Sequence, residues 1–176
     1  MTVIPACEIR SLTDCQPGQL VRPLNYRGDP DFAILGTVDG ADSLAFIFMR
    51  DQGATYSVFP PADHIRVLTF EDQWFIEVDH RGPFESRARD MYEAGSCLIR
   101  EKSRWVLNVW TEDHHRPFER ALFDLTSAEL TYSAADINNM AVFGRWTLYL
   151  GDESAPRERW RKIAAYAWQP PEGPGR

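Results

Sequence analysis

Two short stretches hold the densest titratable chemistry in this chain of 176 residues: Asp79-His80-Arg81 and Glu112-Asp113-His114-His115-Arg116. Histidine titrates near neutrality and a neighbouring carboxylate orients its ring, so each stretch carries the parts of a general acid–base couple. The same side chains suit zinc or iron. Metal signatures, however, place ligands at i, i+4 on a helix or in fixed short loops, and adjacent histidines in an extended backbone diverge. No metal site is expected. No nucleophile accompanies the histidines: the chain lacks a G-x-S-x-G elbow, a G-x-x-x-x-G-K phosphate loop and a G-x-G-x-x-G turn, so no catalytic residue is assigned and no cofactor is implied.

The elements that must position these loops are three strands led by tryptophan: Trp74 to Val78, Arg104 to Trp110 and Trp146 to Leu150. In each, a Trp and two aliphatic residues fall at i, i+2 and i+4, which puts them on one face of a strand and marks that face as core. The alternate positions are mixed (Glu77, Asn108 and Thr147, but also Phe75, Val106 and Tyr149), so the second face is expected to be partly covered. Trp110 takes the phase of Asn108 and should point away from the core beside Asp113. An exposed ring there is a good contact for a ligand or partner, unless another element such as the C-terminal segment covers it. The candidate binding residues are therefore Asp79, His80, Trp110, Asp113, His114, His115 and Arg116.

An offset of 34 residues aligns Asp79 to Glu85 with Asp113 to Glu119, and Asp, His, Pro, Phe and Glu coincide. The match is short enough to arise by chance, yet both copies end a strand in Asp-His and stop it with proline. Both His-bearing loops are accordingly expected at the same end of the sheet, where His80 and His114 would converge.

Upstream, Gly- and Pro-containing turns separate five short strand-like runs: 19–22, 32–38, 43–49, 55–59 and 65–70. Such spacing suggests a small barrel or a meander. Downstream, 84–94 has the best internal helical spacing, ended by Gly95. Residues 97–100 with 104–110 read as a hairpin, and 121–125 with 129–132 as two strands about Thr126-Ser127-Ala128. Residues 134–140 are ambiguous. In 157–168, Trp160, Ile163, Ala164, Ala167 and Trp168 follow helical spacing, which favours a C-terminal helix; a strand paired with Trp146 to Leu150 is the alternative. The last eight residues, with three prolines and two glycines, read as a frayed tail. The fold class expected is mainly β, antiparallel barrel-like or sandwich-like sheets with one or two short helices. The division expected is a small lobe over 1–70 and a Trp-rich lobe over 71–176, or else one continuous domain.

Composition sets the remaining bounds. At 44% apolar, 26% charged and 12% aromatic the chain is an ordinary globular sequence. Its formal charge of −7 is spread over both halves, and that field opposes binding to nucleic acid. Cys7, Cys15 and Cys97 are odd in number and show no C-x-x-C spacing, which argues against disulfides and structural zinc. Cys97 reads as a small buried hydrophobe. The first residues lack the basic and apolar regions of a secretory signal, and no run reaches 18 apolar residues, so a cytoplasmic protein without a membrane partner is expected. Two lysines against seventeen arginines point to a GC-rich bacterial genome. Many strands and no catalytic signature favour a non-catalytic binding or regulatory module with a protein or small-molecule partner. The alternative is a small hydrolase or isomerase using the loops around 79–81 and 112–116.

Overall fold

The computed structural model describes residues 7–24, 31–80, 88–113, 119–132 and 140–169. Along the chain run β1 (Glu8–Ser11), β2 (Leu20–Pro23), β3 (Ala33–Val38), β4 (Leu44–Arg50), β5 (Gly53–Phe59), β6 (Arg66–Thr69) and β7 (Trp74–Val78). A short helix, α1 (Ala88–Ala94), precedes β8 (Leu98–Glu101), β9 (Arg104–Thr111), β10 (Arg120–Asp124) and β11 (Glu129–Thr131). The described chain ends with β12 (Ala141–Phe143), β13 (Arg145–Leu150) and β14 (Arg161–Ala167). The fold is mainly β, as the alternating patterns predict. No helix among the described residues is long and apolar enough to cross a membrane.

Six strands close into a barrel. β3, β4 and β5 form one antiparallel meander, and β9, β10 and β11 form a second. Parallel pairs join the two: Thr55 and Tyr56 of β5 lie beside Trp110 and Thr111 of β9, and Glu129 and Leu130 of β11 beside Thr37 and Val38 of β3. Closure pairs every barrel strand on both sides, which removes the exposed edges an open sheet would have. Parallel neighbours need a long crossover, and the chain between β5 and β9 supplies one containing β6, β7, α1 and β8. The barrel thus takes three strands from before residue 70 and three from after it.

The lumen is filled by side chains such as Ile34, Ile47, Leu107, Val109, Phe123 and Leu130, all in one buried cluster. Gly36 makes room for the Phe123 ring: a Cβ there would lie 2.6 Å from Phe123 Cε2 and 3.1 Å from the Ala128 carbonyl oxygen. The outer faces are covered too. Ala33, Leu35, Phe46 and Phe48 pack on Leu12, Val21 and Val67, while Val106 and Leu122 pack on Met91, Cys97, Ile99, Val142 and Trp168. Burial on both sides explains the unbroken run Phe46-Ile47-Phe48-Met49, which alternation alone could not have oriented.

A second sheet, in the order β14-β13-β7, lays one face against this core. Trp146, Leu148 and Leu150 join the lumen cluster, with Trp74, Ile76, Val78 and Trp105 packed against it, so the shared phase of the three Trp-led strands is indeed the core phase. Residues 161–167 form a strand and not the expected helix. They pair with β13 from Arg145–Ala167 to Leu150–Arg161, and a register shift between Leu148 and Tyr149 interrupts the pairing. That irregularity places Ile163 and Ala164 side by side as apolar neighbours, which breaks the period of two and mimics helical spacing. Residues β1 and β12 went unread in the sequence because both are short, and β1 is largely polar.

One ionisable group ties the barrel turn together. Asp124 is 5% exposed and accepts hydrogen bonds from the Thr126 amide at 2.7 Å, from Arg104 and from the Ser127 amide at 3.3 Å. Burial pushes its carboxyl up, but those bonds outweigh the burial and hold it below the usual carboxylate range. A folded-state pKa below the unfolded value contributes stability at pH values above about 3.9, lost as pH falls through the folded pKa. Asp124→Asn is therefore expected to cost about 1–3 kcal/mol at pH 7. The difference from the parent should shrink as denaturation is followed down through pH 4 to 2; a difference that grows on acidification would contradict this.

Candidate functional site

The inner face of the three-stranded sheet is spent on packing, and its outer face carries a surface open to recognition. A cleft of about 540 Å³ lies over it. The register sets the floor: Thr147 at the centre faces Glu77 of β7 on one side and Ala165 of β14 on the other. Arg145 pairs with Ala167 on the β14 side, and its carbonyl accepts the Asp79 amide at 3.1 Å on the β7 side. The two alanines keep the β14 side of the floor low. Strand alternation explains the composition, since Trp146 and Leu148 turn inward and leave Arg145, Thr147 and Tyr149 outward.

The walls carry charge of both signs. Glu77 accepts hydrogen bonds from the Tyr149 hydroxyl at 3.2 Å and from Arg157 at 3.1 Å. Tyr149 and Glu77 in turn favour the charged form of Arg157. Arg145 and Asp79 form a looser pair at 4.0 Å, with both side chains about half exposed. His80 is exposed at the end of the cleft, its ring edge-on to Phe143 at 5.4 Å between centroids. Tyr166 lies at the other margin, and burial pushes its phenol up to about 12, so it stays neutral at ordinary pH. Outside the cleft, burial raises the Cys97 thiol to about 12, which leaves it without thiolate reactivity at neutral pH.

No family model, curated protein or solved structure matches this chain. The site must be read from its own geometry.

Of the residues singled out in the sequence, Asp79 and His80 line the cleft. Trp110 and Asp113 belong elsewhere, and His114, His115 and Arg116 lie outside the described residues. The described residues of the two loops lie apart: His80 rests on Phe143, which touches Trp105 at 5.3 Å near the start of β9, whereas Asp113 follows its finish. Six residue steps separate Trp105 from Thr111, roughly 20 Å along the strand. The expected convergence of His80 with His114 involves a residue outside those described; β7 belongs to the three-stranded sheet and β9 to the barrel. Trp110 is half-buried and covered by the turn after α1, since a Cβ on Gly95 would come within 1.6 Å of its Nε1. Arg120 sits over its ring at 5.4 Å and over Tyr92 at 4.9 Å. The helix turn is thus a cover for this ring among the described residues.

Close to Asp113, Glu112 is engaged in a structural clamp. Arg50 binds Glu112, Asp31 at 2.5 Å and Thr55 at 2.9 Å, and the Thr55 hydroxyl donates to Glu112 at 2.8 Å. This links β4, β5 and the end of β9, and it leaves that carboxylate committed to the guanidinium. The cleft residues that the sequence reading missed are Glu77, Arg145, Thr147, Tyr149 and Arg157. The signal for the first four was the outward phase of two Trp-led strands, whose pairing across about 70 residues the sequence does not display, while Arg157 comes from the short turn before β14.

Proposed function

We propose that the protein is a non-catalytic binding module and that the cleft over β7, β13 and β14 is its binding surface. The observation that carries this reading is the polar hollow of about 540 Å³ over the outer face of β7, β13 and β14, whose inner face packs into the lumen cluster. That volume falls within the range of sites for small molecules, which runs from about 300 to 1,000 Å³. The arrangement suits binding more than turnover. The carboxylate of Glu77 is engaged by Arg157 and Tyr149, and among the described residues no serine, cysteine or lysine lines the cleft as a nucleophile beside His80.

Filling the floor tests the reading. Thr147→Trp places a large ring in the centre of the hollow without touching the packed face, so stability should change by only about 0.5 kcal/mol. In the parent, a panel of small polar compounds should shift the backbone amide resonances of residues 77–80, 145–149 and 165–167, and the variant should lose those shifts. Shifts confined to the Trp110–Asp113 end, or equal shifts in the variant, would refute the assignment.

A further inference from the structure

We infer that the ligand of this cleft is a saccharide, a neutral ring with an apolar face and a rim of hydroxyl groups, seated at the Tyr149 end. The inference rests on the cleft being the binding surface and adds the class of molecule it holds. Three rings gather at that end: Tyr149 stacks on Phe75 with centroids 5.3 Å apart and an interplanar angle of 21°, and Trp160 stands edge-on to Phe75 at 4.8 Å and lies 5.6 Å from Tyr149. All three are half-buried, and Tyr149 lines the cleft. Strand alternation puts Phe75 and Tyr149 on this side, since Trp74, Ile76, Leu148 and Leu150 pack on the lumen cluster. An aromatic face is partially negative, and the C–H groups on one face of a sugar ring complement it.

The polar groups beside the rings already hold one another, and this selects hydroxyls over charged groups. Glu77 accepts both the Tyr149 hydroxyl at 3.2 Å and Arg157 at 3.1 Å on a single oxygen, Oε2. Among the described residues its Oε1 has no hydrogen-bond partner, and Arg157 commits only Nη2 to the carboxylate. An acceptor and several donors therefore stand side by side, fixed before a ligand arrives. A carboxylate only accepts and a guanidinium only donates, so neighbouring hydroxyls, which do both, use the spare oxygen and the spare N–H groups together and leave the ion pair intact. A charged group gains less, because each charge here already faces its opposite. Thr147 and Ala165 keep the adjoining floor low enough for a ring to lie against Tyr149.

The test titrates the intact chain with the methyl glycosides of glucose, galactose, mannose and N-acetylglucosamine and with their disaccharides, followed by the amide resonances of residues 75–77, 147–149 and 157–160. Two controls separate the features: sorbitol has the hydroxyls without the ring, and tetrahydropyran has the ring without the hydroxyls. At least one glycoside or disaccharide should bind at least tenfold more tightly than either control. Tyr149→Ala, which removes the ring, and Glu77→Gln, which removes the carboxylate but keeps the side chain's shape, should each weaken that binding at least tenfold; the glutamine variant reports on recognition even where the alanine variant lowers stability. If the sugars bind no better than the controls, or leave the cleft unmoved while other members of the polar panel shift it, the ligand class is wrong and the binding surface stands. If neither the sugars nor the panel moves any cleft resonance, both fall.

Discussion

Replacing Trp146 by alanine is expected to lower the melting temperature by roughly 6–20 °C, the shift that about 3–5 kcal/mol produces in a domain of this size. Trp146 is 2% exposed and belongs to the cluster that unites the barrel lumen with the second sheet. Its indole Nε1 also donates to the Ser96 carbonyl at 2.7 Å, and the Ser96 hydroxyl accepts the Ala54 amide at 2.8 Å where β5 begins. One side chain thus fills the joint between sheet and barrel and holds the residue that caps a barrel strand. Trp146→Phe should recover much of the packing but leave the buried carbonyl unsatisfied, a residual cost of about 1–3 kcal/mol. A fall of less than 3 °C for the alanine variant, read by calorimetry, would show that the sheet and barrel are not joined there.

Gly95→Ala should be nearly as damaging, by about 2–5 kcal/mol, although it adds only a methyl group. Gly95 has φ +81°, in the left-handed region where a side chain costs about 1–2 kcal/mol. The added Cβ would also stand 1.6 Å from Trp110 Nε1, and overpacking of this kind costs about 1–3 kcal/mol more. The backbone part persists whatever surrounds it, and the steric part depends on Trp110. Combining Gly95→Ala with Trp110→Ala should therefore cost less than the sum of the single changes, and additive costs in denaturant titrations would contradict the contact.

These positions show what the sequence could and could not disclose. The core phase of the Trp-led strands was legible because a strand's period of two is local, and Trp146, Leu148 and Leu150 are all buried as that period requires. The helix stop at Gly95 was legible for the same reason. Barrel closure was only half visible: the turns announced a small barrel or meander upstream and a hairpin with two further strands downstream, but the parallel pairs Thr55–Trp110 and Glu129–Thr37 join residues far apart in the chain and leave no local mark. The C-terminal strand was misread because an irregular register with β13 hides its alternation. The site followed the same division. Asp79 and His80 stood out by type, but Arg145, Thr147 and Tyr149 become a wall and floor only when β13 is laid between β7 and β14. Conversely, Trp110 and Asp113 drew attention through their neighbours in sequence, and the fold places both outside the cleft over Thr147.

The most direct measurement of the binding claim is a crystal structure of the unaltered chain soaked in small polar compounds. The account predicts bound molecules over Thr147, in contact with Arg145 and within reach of Asp79, Arg157 and His80. Molecules gathered beside Trp110 and Asp113, with the surface over Thr147 holding only solvent, would contradict it.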